Sequence, residues 1–143
     1  MTTMANLLKR KPAALIGVSP DAKIREVVLV LAEKRIGAVV VQSANSDLLG
    51  ILSERDVVRS LAANGVATMD MLASQLMTRA PTTATPTTTI FEAETLMTEG
   101  RFRHLPIVDG GRLTGVVSIV DVVAGLMEQQ AQEVRSLREY VTG

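Results

Sequence analysis

Two kinds of hydrophobic pattern occur along the chain, and together they predict helices alternating with strands. Between residues 24 and 31, apolar side chains lie three and four positions apart, as on one face of a helix. Short Val-, Ile- and Leu-rich stretches such as Ala38–Gln42 and Leu48–Leu52 are instead typical of buried strands. The Asp109-Gly110-Gly111 stretch, between two such runs, indicates a hairpin turn.

The same pattern occurs twice. Gly50–Val58 matches Gly115–Val123 at an offset of 65 residues, and Pro20 matches Pro86 at an offset of 66. The one-residue difference falls in turns, which absorb length changes at little cost. An internal repeat therefore organises the chain.

Each copy is predicted to fold in the order β-α-β-β-α, which gives an α/β (α+β) fold of two tandem units packed as a pseudo-twofold pair. The first strands are placed near Leu15–Val18 and Thr82–Ala84, and the last helices begin at Ser53 and Ser118. The predicted strand pairs are Ala38–Gln42 with Leu48–Leu52 and Leu105–Val108 with Leu113–Val117. The predicted domains are residues 8–65, a helical connector 66–79, residues 80–130, and a C-terminal helix extension 131–143.

The C-terminal helix is predicted to continue to about Val141. Its apolar positions alternate spacings of four and three, which resembles a coiled-coil seam. The seam consists of Val123, Met127, Gln130, Val134, Leu137 and Val141. Packing on its own domain and self-association both fit this pattern.

Composition narrows the function classes. The chain has 143 residues, 47% of them hydrophobic, a net charge of zero, no cysteine and one histidine, His104. These counts exclude disulfides and cysteine-based zinc sites and argue against a nucleic-acid partner, so we expect neither a metal site nor a polyanion. We also expect a cytoplasmic protein, because no secretory signal and no apolar run of membrane-spanning length is evident.

A G-x-x-S-x-x-D motif carries the candidate chemistry. It occurs as Gly50/Ser53/Asp56 and again as Gly115/Ser118/Asp121, each time between a strand and a helix. One interpretation is a capping box, with Asp in place of the usual Glu. The other is a nucleotide site, since a helix start favours phosphate and a carboxylate can hold a ribose diol. Repetition in register favours the nucleotide site.

The sequence resembles a tandem pair of CBS domains, the family named for cystathionine β-synthase. The resemblance rests on the two motif segments, on Val18-Ser19-Pro20-Asp21 and on Arg103-His104-Leu105-Pro106-Ile107-Val108-Asp109. It covers nearly the whole chain.

The resemblance implies two adenosine-ligand sites in the clefts between the copies. Asp56 and Asp121 would hold ribose hydroxyls. Ribose or phosphate contacts would come from Ser53, Ser118, Arg55, Arg103 and His104. Adenine contacts, partly through backbone groups, would come from Gly17, Val18, Ile36, Gly37, Ala38, Thr83, Ala84, Leu105 and Pro106.

The function implied is that of a stand-alone regulatory sensor, a Bateman module, rather than an enzyme. AMP is the leading ligand, with ADP, ATP, NAD(H) and S-adenosylmethionine as alternatives. The module would signal through a homodimer or an effector protein. The competing hypothesis is a ligand-free interaction scaffold in which the Ser–Asp pairs serve only as caps.

Overall fold

A computed structural model describes residues 1–10 and 16–142. Its helices are α1 (Met4–Arg10), α2 (Ile24–Lys34), α3 (Glu54–Asn64), a 3₁₀ helix (Gly65–Asp70), α4 (Ala73–Leu76), α5 (Ile90–Gly100) and α6 (Ile119–Thr142). Its strands are β1 (Gly17–Val18), β2 (Ala38–Gln42), β3 (Leu48–Ser53), β4 (Thr78–Arg79), β5 (His104–Asp109) and β6 (Arg112–Ser118). The mixed α/β fold, both predicted hairpins and the long C-terminal helix are confirmed.

The chain divides into two compact units. The central unit is Leu15–Pro81, and the terminal unit combines Met1–Ala14 with Thr82–Gly143. Each unit has its own cluster of buried apolar side chains. Burial of apolar surface is the main favourable contribution to folding, so each unit has its own source of stability.

The central unit is built on a four-stranded sheet in the order β1-β2-β3-β4. Strand β1 runs parallel to β2, and the other neighbours are antiparallel. The core combines strand residues such as Val39, Val41 and Leu52 with Ile24 and Val27 of α2. The predicted connector is helical at the 3₁₀ helix and α4, but it ends in β4, a two-residue strand that the sequence did not predict.

The terminal unit packs helices α1, α5 and α6 with the β5–β6 hairpin. Strand residues Leu105, Ile107 and Val117 are buried in its core. Met4 and Leu7 of α1 join the same core, although they lie far from the hairpin in sequence. Backbone bonds also secure this segment, including Met4 N–H to Thr88 O at 2.9 Å.

The predicted strand Thr82–Ala84 is wrong: only a single parallel bridge forms there, between Ala84 and Ile107. In the central unit, the Val40 N–H donates to the Ile16 carbonyl at 3.2 Å and extends the β1–β2 pairing. The position equivalent to Val40 is Pro106. Because proline has no backbone N–H, that ladder bond cannot form in the terminal unit.

Two equivalent helices end on an arginine in the left-handed backbone region. Arg35 follows α2 with φ 54°, and Arg101 follows α5 with φ 57°. Each cap N–H bonds back into its helix, to Leu31 O and Met97 O respectively. Glycine is the usual residue at such a position, so the sequence alone did not indicate this conformation.

We expect the start of α5 to contribute to acid sensitivity. The backbone N–H of Thr89 donates to Glu92 at 3.1 Å, and this hydrogen bond, followed by that of the Thr89 side chain, lowers the pKa of Glu92 from its ordinary value of 4.5. A lowered pKa gives stability that is present above about pH 4.5 and lost as the pH falls through the folded-state value. Glu92→Gln should therefore unfold at a lower temperature than the wild type at pH 7, with the difference shrinking towards pH 3. Thermal unfolding from pH 7 to pH 3 measures this, and a constant difference would contradict it.

Candidate functional site

The central unit places Ser53 and Asp56 in a reciprocal cap at the start of α3. The Asp56 N–H donates to Ser53 Oγ at 3.3 Å. In return, the Ser53 N–H and hydroxyl both donate to Asp56 Oδ2, at 2.8 Å and 3.0 Å. The capping-box interpretation is thus confirmed in geometry, and the half-buried carboxylate is held in a fixed orientation.

Backbone groups of strand β2 lie beside this cap. Ala38, the first residue of β2, pairs with Ser53 at the end of β3. The carbonyl of the preceding Gly37 accepts the Glu54 N–H at 2.9 Å. The structure therefore brings together the predicted adenine residues Gly37 and Ala38 and the predicted ribose residues.

The terminal unit repeats this arrangement at the start of α6. Asp121 Oδ2 accepts the Ser118 N–H at 3.0 Å and the Ser118 hydroxyl at 2.9 Å, and the Asp121 N–H donates to Ser118 Oγ at 3.2 Å. His104 pairs with Ser118 in the β5–β6 register. The Arg103 carbonyl accepts the Ile119 N–H at 2.8 Å. Each carbonyl–cap pair thus has a counterpart in the other unit.

These bonds limit what each junction can offer a ligand. The Ser53 hydroxyl already donates its single proton to Asp56, so in this state it can accept a hydrogen bond but not give one. Of the first three N–H groups of α3, those of Glu54 and Asp56 are occupied within the unit. Among the described residues, the Arg55 N–H is left as the helix-start donor of α3. The junction therefore suits ribose hydroxyls better than phosphate oxygens.

The other predicted residues of the central unit lie along β2 or next to it. Gly17 and Val18 form β1 and pair with Val40 and Val41, on the opposite side of β2 from the Ser53 cap. Ile36 is half-buried against the core. The two strand residues thus flank β2, whereas Gly37 and Ala38 border the cap itself.

In the terminal unit, the predicted adenine residues lie on or beside β5. Leu105 is buried in the core, so its side chain faces away from solvent. The Pro106 carbonyl accepts the Ala84 N–H at 3.0 Å. Thr83 and Ala84 also line an open groove of about 520 Å³ with Phe91 and Leu96 of α5. Adenine contacts at Leu105 would therefore come from its backbone.

The charged candidates differ between the units. Arg55 is exposed one residue before Asp56, and its counterpart before Asp121 is Val120, an apolar residue. Arg103 is exposed and His104 is half-buried, whereas the matching positions in the central unit are Gly37 and Ala38. Each junction thus has one arginine nearby, supplied by the helix in one unit and by the start of the strand in the other.

The described part of the chain contains neither a metal-binding cluster nor a membrane-spanning helix. Residues 1–10 and 16–142 contain no cluster of His, Cys, Asp or Glu that could hold a metal ion. Within the same ranges, no helix combines the length and hydrophobicity that crossing a bilayer requires.

Comparison with known proteins agrees with the repeat. The CBS domain family model matches residues 10–63 and again residues 73–128. A mitochondrial CBS domain-containing protein of Arabidopsis thaliana is 29% identical over 150 residues, covering 99% of this chain and 73% of that protein.

Two solved structures show the same fold. A CBS-domain containing protein from Agrobacterium tumefaciens is 40% identical, with a TM-score of 0.83 over 86% of this chain and 92% of that one. A CBS domain protein from Pyrobaculum aerophilum complexed with AMP is 30% identical, with a TM-score of 0.74 over 83% of this chain and 88% of that one. Because the family model covers most of the chain in two tandem matches, the protein belongs to the CBS domain family.

Proposed function

We propose that this chain is a regulatory module that binds an adenosine-containing ligand, with AMP as the first candidate, at its Ser–Asp junctions. The observation that carries the proposal is the pair of equivalent junctions, each with a half-buried carboxylate fixed beside backbone groups of a strand. The AMP complex of the Pyrobaculum aerophilum protein supports the same class of ligand.

The hydrogen bonds support a proposed role for each residue. Asp56 and Asp121 would accept hydrogen bonds from the ribose diol, because a carboxylate oxygen has more than one acceptor site and each capping box holds its carboxylate in a fixed orientation. Ser53 and Ser118 would assist as acceptors. Phosphate would depend on Arg55 in the central unit and on Arg103 and His104 in the terminal unit, since charge-assisted hydrogen bonds are the stronger ones. Unequal affinity of the two sites is expected, because these cations differ.

The module would act by a shift of populations rather than by catalysis. A ligand changes a conformational equilibrium only by its differential affinity for the states. The output would pass to a second copy of the chain or to an effector protein. Carboxylates and backbone groups do not distinguish one adenosine-containing ligand from another. The ligands to be tested are therefore AMP, ADP, ATP, NADH and S-adenosylmethionine.

Thermal unfolding with each ligand tests the proposal. Binding stabilises the folded state by about 2.7 kcal/mol at a hundredfold excess over Kd, which is on the order of 10 °C for a chain of this size. Asp56→Asn and Asp121→Asn keep a capping oxygen but remove the charge. Loss of charged hydrogen bonds to ribose should weaken binding at the altered site roughly 10–100-fold.

Asp70→Asn is the matched control. Asp70 is an exposed carboxylate paired with Arg25 at 2.7 Å, away from both junctions in sequence, so its loss should leave the ligand-induced shift unchanged. Nucleotide that co-purifies is released by denaturation and identified first. If protein freed of nucleotide shifts with none of the ligands, the scaffold function replaces this proposal. A shift that both Asp→Asn variants retain would place binding elsewhere.

The scaffold remains the second candidate because of one observation. Both Ser–Asp pairs complete their own capping boxes without any ligand, so helix capping alone accounts for these residues. The two functions make different predictions for Asp56→Asn and Asp121→Asn. A sensor loses ligand affinity with the carboxylate charge, whereas in a scaffold the charge affects folding stability alone.

A further inference from the structure

We propose that the C-terminal part of α6 pairs with α6 of a second copy as a short parallel two-stranded coiled coil. This inference concerns assembly and does not depend on ligand binding. It rests on the α6 seam, meaning Val123, Met127, Gln130, Val134, Leu137 and Val141.

The α6 seam lies on a different face of the helix from the one that packs on its own unit. Val122 and Gly125 are the buried residues of α6, and Leu126 packs partly against the core. At 100° per residue, the α6 seam is centred about 100° around the helix from Val122. Leu137 is accordingly 65% exposed and Val141 81% exposed within this chain.

The residue types along the α6 seam match a parallel dimer. Spacings of three and four place Met127, Val134 and Val141 at heptad a positions and Val123, Gln130 and Leu137 at d positions. A β-branched residue at a with Leu at d favours two parallel strands over higher oligomers. Most other residues from 127 to 142 are polar, so the apolar surface is confined to one narrow stripe.

The surface already has the shape of a coiled-coil hole. Val134, Leu137, Arg138 and Val141 lie at i, i+3, i+4 and i+7, and they line one shallow depression of about 290 Å³. In a coiled coil, each knob enters a hole formed by four residues of the facing helix. The Leu137 side chain of a second copy suits this depression in size and polarity.

Charge complementarity specifies the direction. Glu133 occupies a g position and Arg138 the e position five residues later, the pair that forms an interhelical ion pair in a parallel coiled coil. Within one helix, residues five apart are 140° apart and do not face each other. The pair is therefore complementary only between two chains, and two such pairs form in a symmetric dimer.

Cysteine cross-linking tests both pairing and direction, because the chain contains no cysteine. Gln130→Cys and Val141→Cys are separate single-cysteine variants along the α6 seam. With oxidised glutathione, two protein thiols exchange with one glutathione disulfide to give an interchain disulfide and two reduced glutathiones. In parallel, in-register helices both variants should cross-link, while Glu139→Cys, on the outer face, should stay monomeric in a non-reducing gel.

The cross-linking pattern distinguishes parallel helices, antiparallel helices and a monomer. Cross-linking of only one seam variant would indicate antiparallel helices, in which only a residue at the two-fold axis faces itself. Cross-linking of neither, or monomeric wild-type protein by light scattering across a concentration series, would overturn the proposal. Circular dichroism of each reduced variant checks that the helix is retained.

A charge swap tests the ion pairs independently. Arg138→Glu or Glu133→Arg alone places like charges opposite each other and should weaken the dimer about tenfold. The double variant Glu133→Arg with Arg138→Glu should restore the wild-type dissociation constant, measured by sedimentation. Failure of the double variant to recover would contradict parallel pairing.

Discussion

Replacing Leu105 with alanine is expected to lower the free energy of unfolding by about 2–5 kcal/mol, the range for a fully buried leucine. Leu105 is 0% exposed and contributes to the terminal-unit core with Ile107, Val117 and Met97. The loss combines the transfer free energy of the removed methyl groups with the cavity that they leave. Urea unfolding at equilibrium measures it.

Leu29→Ala is the control for this variant. Leu29 lies on α2 and is 67% exposed, so its truncation should change stability by less than about 0.5 kcal/mol.

The Leu105→Ala variant also tests the predicted contact between Leu105 and adenine, because only the backbone of a core leucine is available to a ligand. The stabilisation by AMP should survive in the folded fraction. A variant of normal stability with a weakened AMP shift would show instead that the side chain faces the ligand.

Gly50→Ala is the second variant with a large expected effect, about 1–3 kcal/mol of lost stability. Gly50 pairs with Val41 on one side and Arg79 on the other. A Cβ there would lie 2.6 Å from the Thr78 carbonyl oxygen and 2.6 Å from Met77 Sδ. The Thr78 carbonyl is backbone, so it can move only if β4 separates from β3.

Gly115→Ala provides the matched comparison from the other copy of the motif. Its Cβ would meet the end of the Leu8 side chain, 2.7 Å from Cδ2, and a leucine side chain can rotate. The loss should therefore be smaller than for Gly50→Ala when both are compared by urea unfolding. An equal or larger loss at Gly115 would refute the idea that backbone approach makes the Gly50 position the stricter one.

The predictions that the structure confirms depend on short-range patterns. Short runs rich in Val, Ile and Leu placed β2, β3, β5 and β6 within one residue at each end. Ser and Asp three residues apart identified both caps, because the capping bonds join residues close in sequence.

The features that escaped sequence analysis depend on contacts between distant segments. Helix α1 is defined by packing against residues from Ala84 onwards in the sequence, and β4 by pairing with Gly50 and Ile51. Leu105 was predicted to contact adenine because the motif segment contains it, yet core packing determines where its side chain lies. Pairing partners of this kind cannot be inferred from local periodicity.

The proline at position 106 makes the two copies differ in how easily their first segments open. Two backbone hydrogen bonds hold Ala84 to β5. The Ala84 N–H donates to the Pro106 carbonyl at 3.0 Å, and the Val108 N–H donates to the Ala84 carbonyl at 2.8 Å. A segment that depends on so few backbone bonds has a small free energy of local opening. Ala84 is also buried in the core, so the stretch around it should open more easily than the equivalent stretch of the central unit only by the free energy of one backbone hydrogen bond, about 1 kcal/mol.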